Sequence, residues 1–429
     1  MELEHSRKAK NGIEIFDYKN PAQHSFYISL FLRAGSMYEE ERDSGITHFL
    51  EHAIIRNVNT LMDGELYSLL DRYGIEFNAS TYSEMVQFYV YGAERHFDVG
   101  ARIISMILSP ISLTTADVRA ECERIKAEIR ENDERGSLTN FTSAIVHEGT
   151  SLSRPITGSV GSVSRITRSR LESYRKSAFT KENVFIYVTG AYGEGELCRL
   201  TELVGTRELY CGTPHEAIAP VPKAFGKREG RVQIKSADFT MLRFTFDMDM
   251  SKISVPESDL IYDLLLGGYN SRFFIEMSEK RGLFYDISGG TERYRNIGSF
   301  SFSFEVKAGS VYEAAELSLS LLSAFKTDLI PEEKMMKAGY VDNAYMLYDD
   351  ARELNFTFAY DNHILGLGYS SLDERAKAYR SVTPKTLKRA ACELFKPENL
   401  TLTVKGNKKR IDTVRLEEIV KKTLQREGK

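Results

Sequence analysis

The stretch SFSFSFEV, residues 299–306, sets phenylalanine against serine at every second position. Alternation with period two is the pattern of a strand that turns one face to a core. It closes a longer run, RGLFYDISGGTERYRNIGSFSFSFEVKAG (281–309), which reads as glycine, strand, polar turn, strand. The run YGIEFNASTYSEMVQFYVYGAE (73–94) has the same shape. A helical stretch follows each, HFDVGARIISMIL after one and VYEAAELSLSLLSAF after the other. Hairpins with helices beside them predict an α+β fold, a mainly antiparallel sheet with helices packed on one face.

The two halves also match residue by residue at one place. AFTKENVFIYVTG (178–190) and LFKPENLTLTVKG (394–406) share Phe, Glu, Asn, Val and Gly at an offset of 216. The same offset pairs Thr167 with Thr383 and Leu171 with Leu387. Both copies read as a helix, a short turn and a strand. Between the halves, CGTPHEAIAPVPKAFGKREG (211–230) has the proline and glycine content of a linker. The expected organisation is therefore an N-terminal domain over 1–211, a linker over 212–230 and a similar C-terminal domain over 231–429.

Composition narrows the class. Of 429 residues 42% are hydrophobic, enough for a globular protein of two domains. The net charge of −4 gives no electrostatic reason to expect nucleic acid or an anionic membrane as partner. No stretch approaches the roughly 20 apolar residues of a membrane span. The first residues, MELEHSRKAKNGIEIFDY, hold basic side chains without the apolar run of a secretory signal. Cys122, Cys198, Cys211 and Cys392 lie far apart and read as reduced thiols, so a cytoplasmic protein is expected.

The candidate chemistry is concentrated in GITHFLEHAI (45–54). On a helix His48 and His52 share a face, so both imidazoles can reach one ion, and Glu51 projects near the same rim. There a carboxylate could take a proton from water at the metal. This HxxEH order inverts the HExxH helix of zinc proteases. As a bare pattern it has a second reading, polar side chains satisfied by their neighbours. A catalytic zinc site needs a third protein ligand. The acid-rich segment DVRAECERIKAEIRENDER (117–135) offers Glu121 and Glu128, seven apart and able to share a face.

Further motifs occur in order along the chain: AGSMYEEERDSGITHFLEH (34–52), FNAST (77–81), HEGTSLSRPITGS (147–159) and LLGGYNSRFFIEMSEKRGLFYDI (265–287). Glu128 stands 76 positions after His52. With them the chain resembles the inverzincin metallopeptidases of the pitrilysin, insulin-degrading enzyme and mitochondrial processing peptidase family, over its whole length. The resemblance implies that His48, His52 and Glu128 hold one Zn2+ per chain, with Glu51 as general base and Glu121 as an accessory acid. It implies that Asn78, Ala79 and Thr81 lie on an edge strand that pairs with substrate backbone. It also implies paired domains forming half of a clam-shell chamber that closes with a second chain.

Two positions depart from that pattern. Ile55 stands where relatives carry an aromatic residue, in the unusual continuation AIIRNVNT. In the second half Tyr285 fits a substrate-contacting tyrosine, but the arginine expected seven residues earlier is Ser278. His363 is the sole histidine of 231–429, so that half offers no second site of this kind.

The expected function is a zinc endopeptidase acting on unfolded or short peptides. The missing arginine favours a heterodimer with a second related chain over a homodimer, with this chain as the catalytic subunit. Within that reading both general peptide clearance and removal of a leader from a modified peptide are open, the divergent sequence beside the zinc helix favouring the second. The rival functions are a non-catalytic scaffold and a peptide-binding subunit with a structural zinc.

Overall fold

The computed structural model describes residues 3–134, 137–210, 231–237, 239–327, 331 and 338–424. It contains two compact units, each built on one sheet. Unit 1 comprises 1–136, 149–218 and 345–372, and unit 2 comprises 137–148, 219–344 and 373–429. The expected ranges 1–211 and 231–429 cover most of each unit, but 137–148 and 345–372 are exchanged between the halves. The linker expected over 212–230 lies outside the described residues.

The sheet of unit 1 has six strands: β1 (His5–Lys8), β2 (Glu14–Lys19), β3 (Ser25–Leu32), β4 (Glu76–Thr81), β5 (Val86–Ala93) and β6 (Val184–Gly190). They lie in the order β1-β2-β6-β3-β5-β4, antiparallel except for the parallel pair β2 and β6. Strand β4 therefore forms an edge. Unit 2 has β7 (Arg231–Ser236), β8 (Thr240–Asp249), β9 (Ile287–Arg293), β10 (Ile297–Val306) and β11 (Leu400–Gly406). Their order is β7-β11-β8-β10-β9, again with one parallel pair, β7 and β11. With β1 set aside, the two sheets have the same topology.

The repeat seen in sequence marks equivalent positions. Thr167 and Thr383 cap the helices Arg168–Ala178 and Pro384–Leu394, and Leu171 and Leu387 are buried beneath them. In the turns that follow, the Asn183 side chain donates to Ala178 O at 3.2 Å and the Asn399 side chain donates to Leu394 O at 3.0 Å. An asparagine in each copy thus satisfies the carbonyl end of its helix, where the last turn leaves acceptors unpaired.

Helices in unit 1 include α1 (Ile46–Leu61), α2 (Leu66–Tyr73), α3 (Phe97–Ile107) and α4 (Thr115–Glu134). On β3 the side chains of Phe26, Ile28, Leu30 and Leu32 point into the core shared with α1 and α3. Gly100 lets α3 approach closely, since a Cβ there would stand 2.6 Å from the Phe26 ring. The other face, with Phe31, Phe185 and Tyr187, is covered by the exchanged helix Ala351–Phe358 through Leu354 and Phe358. Asn355, fully buried, accepts from Ser29 Oγ at its Oδ1 at 2.7 Å and donates from its Nδ2 to Tyr187 O at 2.9 Å, fastening that helix to β3 and β6.

Unit 2 follows the same plan. Its main helical layer packs on Phe244, Phe246, Phe300, Phe302 and Phe304, and the exchanged helix α5 (Leu138–Val146) lies against β8 and β11. Ser299, Ser301 and Ser303 on the opposite face of β10 are also buried. The alternation in SFSFSFEV therefore separates an aromatic face from a buried hydroxyl face. Among the described residues no helix is long and apolar enough to cross a membrane.

Candidate metal centre

Helix α1 begins at Gly45, whose backbone is left-handed with φ of 92°, and carries His48, Glu51 and His52 over its first two turns. Helix α4 packs against it and brings Glu121 and Glu128 to the same place. His48 Nε2 lies 3.7 Å from Glu128 Oε1, and His52 Nε2 lies 3.6 Å from Glu128 Oε2. One ligand atom from each of the three side chains falls within 4.8 Å of the others. Tetrahedral zinc with bonds of about 2.0–2.2 Å separates its ligand atoms by about 3.4 Å. The cluster is close to that spacing, and two imidazoles with one carboxylate are a donor set that suits zinc. Among the described residues no other such group occurs.

The side chains around the cluster are ordered by charge. Glu121 is buried, and its Oε2 faces His52 Nδ1 at 3.4 Å while its Oε1 accepts from Arg56 Nη1 at 2.8 Å. Burial alone would raise its carboxyl, but His52, Arg56 and Arg124 outweigh that and hold it down at about 2. A carboxylate on the far nitrogen of a ligating histidine fixes the ring and its tautomer. Glu121 thus stands behind His52, one residue out from the ligand cluster. His48 is pushed down to about 4 by burial and by the neighbouring His52, so its ring is neutral at physiological pH. Neutral imidazole is the form that binds metal.

Glu51 is buried on the same rim, and burial is the main cause that raises its carboxyl. A hydrogen bond of 2.5 Å from Thr81 Oγ1 to its Oε2 opposes that shift. Thr81 closes the edge strand β4. The turn after α2 aims that strand, with Gly74 left-handed at φ of 61° and Ile75 N donating to Leu70 O at 3.0 Å. Along β4, Phe77 and Ala79 pack toward the core below the metal helix, while Asn78 is exposed and its Oδ1 accepts from Ala79 N.

The structure thus brings together His48, Glu51, His52, Thr81, Glu121 and Glu128 within unit 1. Tyr285 belongs to unit 2, where its side chain is fully exposed in the loop before β9. Ser278 lies in the same unit, in the π-helical segment Phe274–Glu279, and its hydroxyl donates to Phe284 O at 3.1 Å. Sequence reasoning missed Arg56, which the four-residue step from His52 would have placed on the face of Glu121. It missed the bond between Thr81 and Glu51, which no spacing announces.

Residues 15–160 match the family described as insulinase, peptidase family M16, and residues 165–338 match the domain described as peptidase M16 inactive domain. The chain belongs to peptidase family M16. The M16 match over 15–160 contains the whole cluster. An uncharacterized zinc protease of Mycobacterium leprae is 24% identical over 329 residues, 75% of this chain and 73% of that protein. Among solved structures, a protease from Helicobacter pylori superposes with a TM-score of 0.83 at 16% identity, covering 95% of this chain and 100% of the other. The periplasmic protease PqqL of Escherichia coli superposes with a TM-score of 0.80 at 16% identity, covering all of this chain and 50% of the other. Both structures share the fold of this chain, and the PqqL comparison shows it in half of a longer chain.

Proposed function

We propose that this M16 protein is a zinc endopeptidase acting on unfolded or short peptides, and the catalytic subunit of a dimer. The observation that carries the reading is the pair of imidazole Nε2 atoms facing one Glu128 carboxylate, with the buried Glu51 beside them. His48, His52 and Glu128 would hold one zinc per chain. When bound, zinc supplies Lewis acidity, which favours ionisation of water and polarises a carbonyl.

The remaining chemistry falls to the chain's own residues. Thr81 occupies Glu51 Oε2, so Oε1 is the oxygen that exchanges protons. Glu51 takes a proton from water as that water's oxygen bonds to the scissile carbonyl carbon. It then delivers a proton to the leaving nitrogen as the C–N bond breaks. Its raised carboxyl suits both directions of transfer, because a base poised nearer neutrality also serves as an acid. Glu121 orients His52 in this scheme and takes no part in proton transfer to substrate.

Strand β4 offers its outer edge to an extended peptide, which would pair through main-chain bonds alongside Asn78, Ala79 and Thr81. Main-chain pairing asks little of the substrate's side chains, which suits unfolded peptides of varied sequence. Removal of a leader from a modified peptide is the dedicated form of this activity, and the divergent AIIRNVNT beside the metal helix supports it. Ser278 supports a heterodimer, since a hydroxyl cannot stand in for a fixed cation at a substrate carbonyl. The exposed free thiols of Cys198 and Cys392 suit the reducing cytoplasm as its compartment.

The test is Glu51→Gln, measured for zinc content and for peptide cleavage. Zinc should stay while cleavage falls by about 10²–10⁴-fold. Undiminished cleavage, or a parent protein that binds no zinc, would overturn the reading.

A further inference from the structure

The two histidines are held in different ways. Glu121 meets His52 at its Nδ1 and fixes that ring. The Nδ1 of His48 is buried with no hydrogen-bond partner among the described residues, so the direction of this ring depends on the backbone that carries it. That backbone is the first turn of α1. Helix starts leave amides without acceptors, and the N-cap residue here is Gly45, which has no side chain to offer.

Asp43 pairs with Arg170, and the Thr47 hydroxyl lies 2.7 Å from Tyr174 Oη. Two amides of this turn are taken by Glu39, six residues before the N-cap Gly45. Its Oε2 accepts from Gly45 N at 2.8 Å and its Oε1 from Thr47 N at 2.9 Å. Glu39 is buried, 6% exposed, and its own carbonyl accepts from Arg154 Nη2 at 2.7 Å. Gly45 in turn packs so tightly on the loop at Gly158 that a Cβ would stand 2.6 Å from Thr157 O. Glu39 thus serves two amides of a first turn that has little room to shift.

We propose that Glu39 is a positioning residue of the metal site: its buried carboxylate caps the first turn of α1 through two backbone amides and so aims His48 Nε2 at Glu128. The inference rests on the zinc reading of the cluster. Glu39 touches neither metal nor substrate and acts only through the helix start. It does for His48 from the backbone side what Glu121 does for His52 from the ring side.

The experiment compares the parent full-length chain with Glu39→Gln and Glu39→Ala. Zinc affinity is read by chelator competition, ligand geometry from the visible spectrum of the cobalt(II)-substituted protein, and kcat and KM separately. Loss of a group that orients a ligand weakens metal binding by about 10–100-fold. That loss is expected for Glu39→Ala, with an altered cobalt spectrum and a lower kcat at little-changed KM, because β4 is untouched. Glu39→Gln keeps one acceptor oxygen and should fall between. Folded Glu39→Ala with the parent's zinc affinity and cobalt spectrum overturns the proposal, even if its melting temperature drops. Should Glu39→Ala fail to fold, the same result in the near-isosteric Glu39→Gln overturns it. A parent chain that binds neither metal sinks the zinc reading and this role with it, an outcome distinct from unaltered variants of a metal-binding parent.

Discussion

Thr81 donates its hydroxyl hydrogen to Glu51 across 2.5 Å, so the edge strand and the metal helix are joined at the carboxylate assigned to proton transfer. This bond favours the charged carboxylate and opposes the effect of burial. Thr81→Val keeps the shape and removes the donor. The Glu51 carboxyl should then rise further, and the acid limb of the pH profile of kcat/KM should move to higher pH. A hydrogen bond to a charged group contributes about 1.5–3 kcal/mol, so activity on the acid side should fall about tenfold or more. Zinc content should not change. An unmoved acid limb would separate Thr81 from the ionisation of Glu51.

Arg352, on the exchanged helix, reaches Glu76 at the start of β4 at 2.7 Å and lies over the rings of Tyr27, Tyr89 and Tyr91. Glu76 also accepts from Tyr89 Oη at 2.6 Å. An edge strand with one neighbouring strand is braced this way from the side. The pair is half-exposed, and such ion pairs and cation–π contacts contribute about 0.5–1 kcal/mol each. Arg352→Met should therefore raise KM a few-fold and leave kcat and zinc affinity alone. A fall in kcat at constant KM would place Arg352 in some other role.

Burial pushes the Glu39 carboxyl up from 4.5 to about 7, against the opposing pull of its amide bonds and Arg154. The folded state therefore holds this proton more tightly than the unfolded state. The corresponding stability is fully present below about pH 4.5 and is lost as pH rises through about 7. Relative to Glu39→Gln, the metal-free parent should lose up to about 3 kcal/mol across that window. Urea unfolding of both proteins at several pH values measures the difference. Parallel pH curves would show that Glu39 does not titrate there.

Ser278 bears on the partner. The isolated chain should bind zinc yet cleave peptides poorly, and a related chain of similar size lacking HxxEH should restore cleavage. Replacing Ser278 removes its bond to Phe284 O, so Ser278→Arg tests the missing cation in place. Full activity from the isolated chain, with no gain from Ser278→Arg, would end the case for divided labour.

Local patterns in the sequence reported what neighbours in the chain decide. The offset of 216 found two helix–turn–strand units because capping threonines, buried leucines and turn asparagines act within a few residues. His48, Glu51 and His52 were legible from helical spacing, and Glu128 from a motif. The exchanged helix Ala351–Phe358 was not, because an apolar stripe states that a face is buried and not which sheet buries it. Glu39 was hidden for a related reason. Its carboxylate reaches amides six and eight residues ahead across an irregular turn, a distance that matches no helical or strand period.

The exchange of 137–148 and 345–372 has a consequence for synthesis on the ribosome. The first sheet, with the metal ligands, is encoded by residue 190, yet the aromatic face of Phe31, Phe185 and Tyr187 finds its cover only with Leu354 and Phe358. Until that later segment emerges, the nascent chain carries a bare apolar sheet face of the kind that chaperones bind and that aggregates when left alone. Closing it demands contacts more than 300 residues apart along the chain, which slows the search for the native state. Cutting the gene at the proline-rich middle would therefore not release two independent folding units. Each fragment would lack the helix that seals its sheet, and only co-expression of both would supply it.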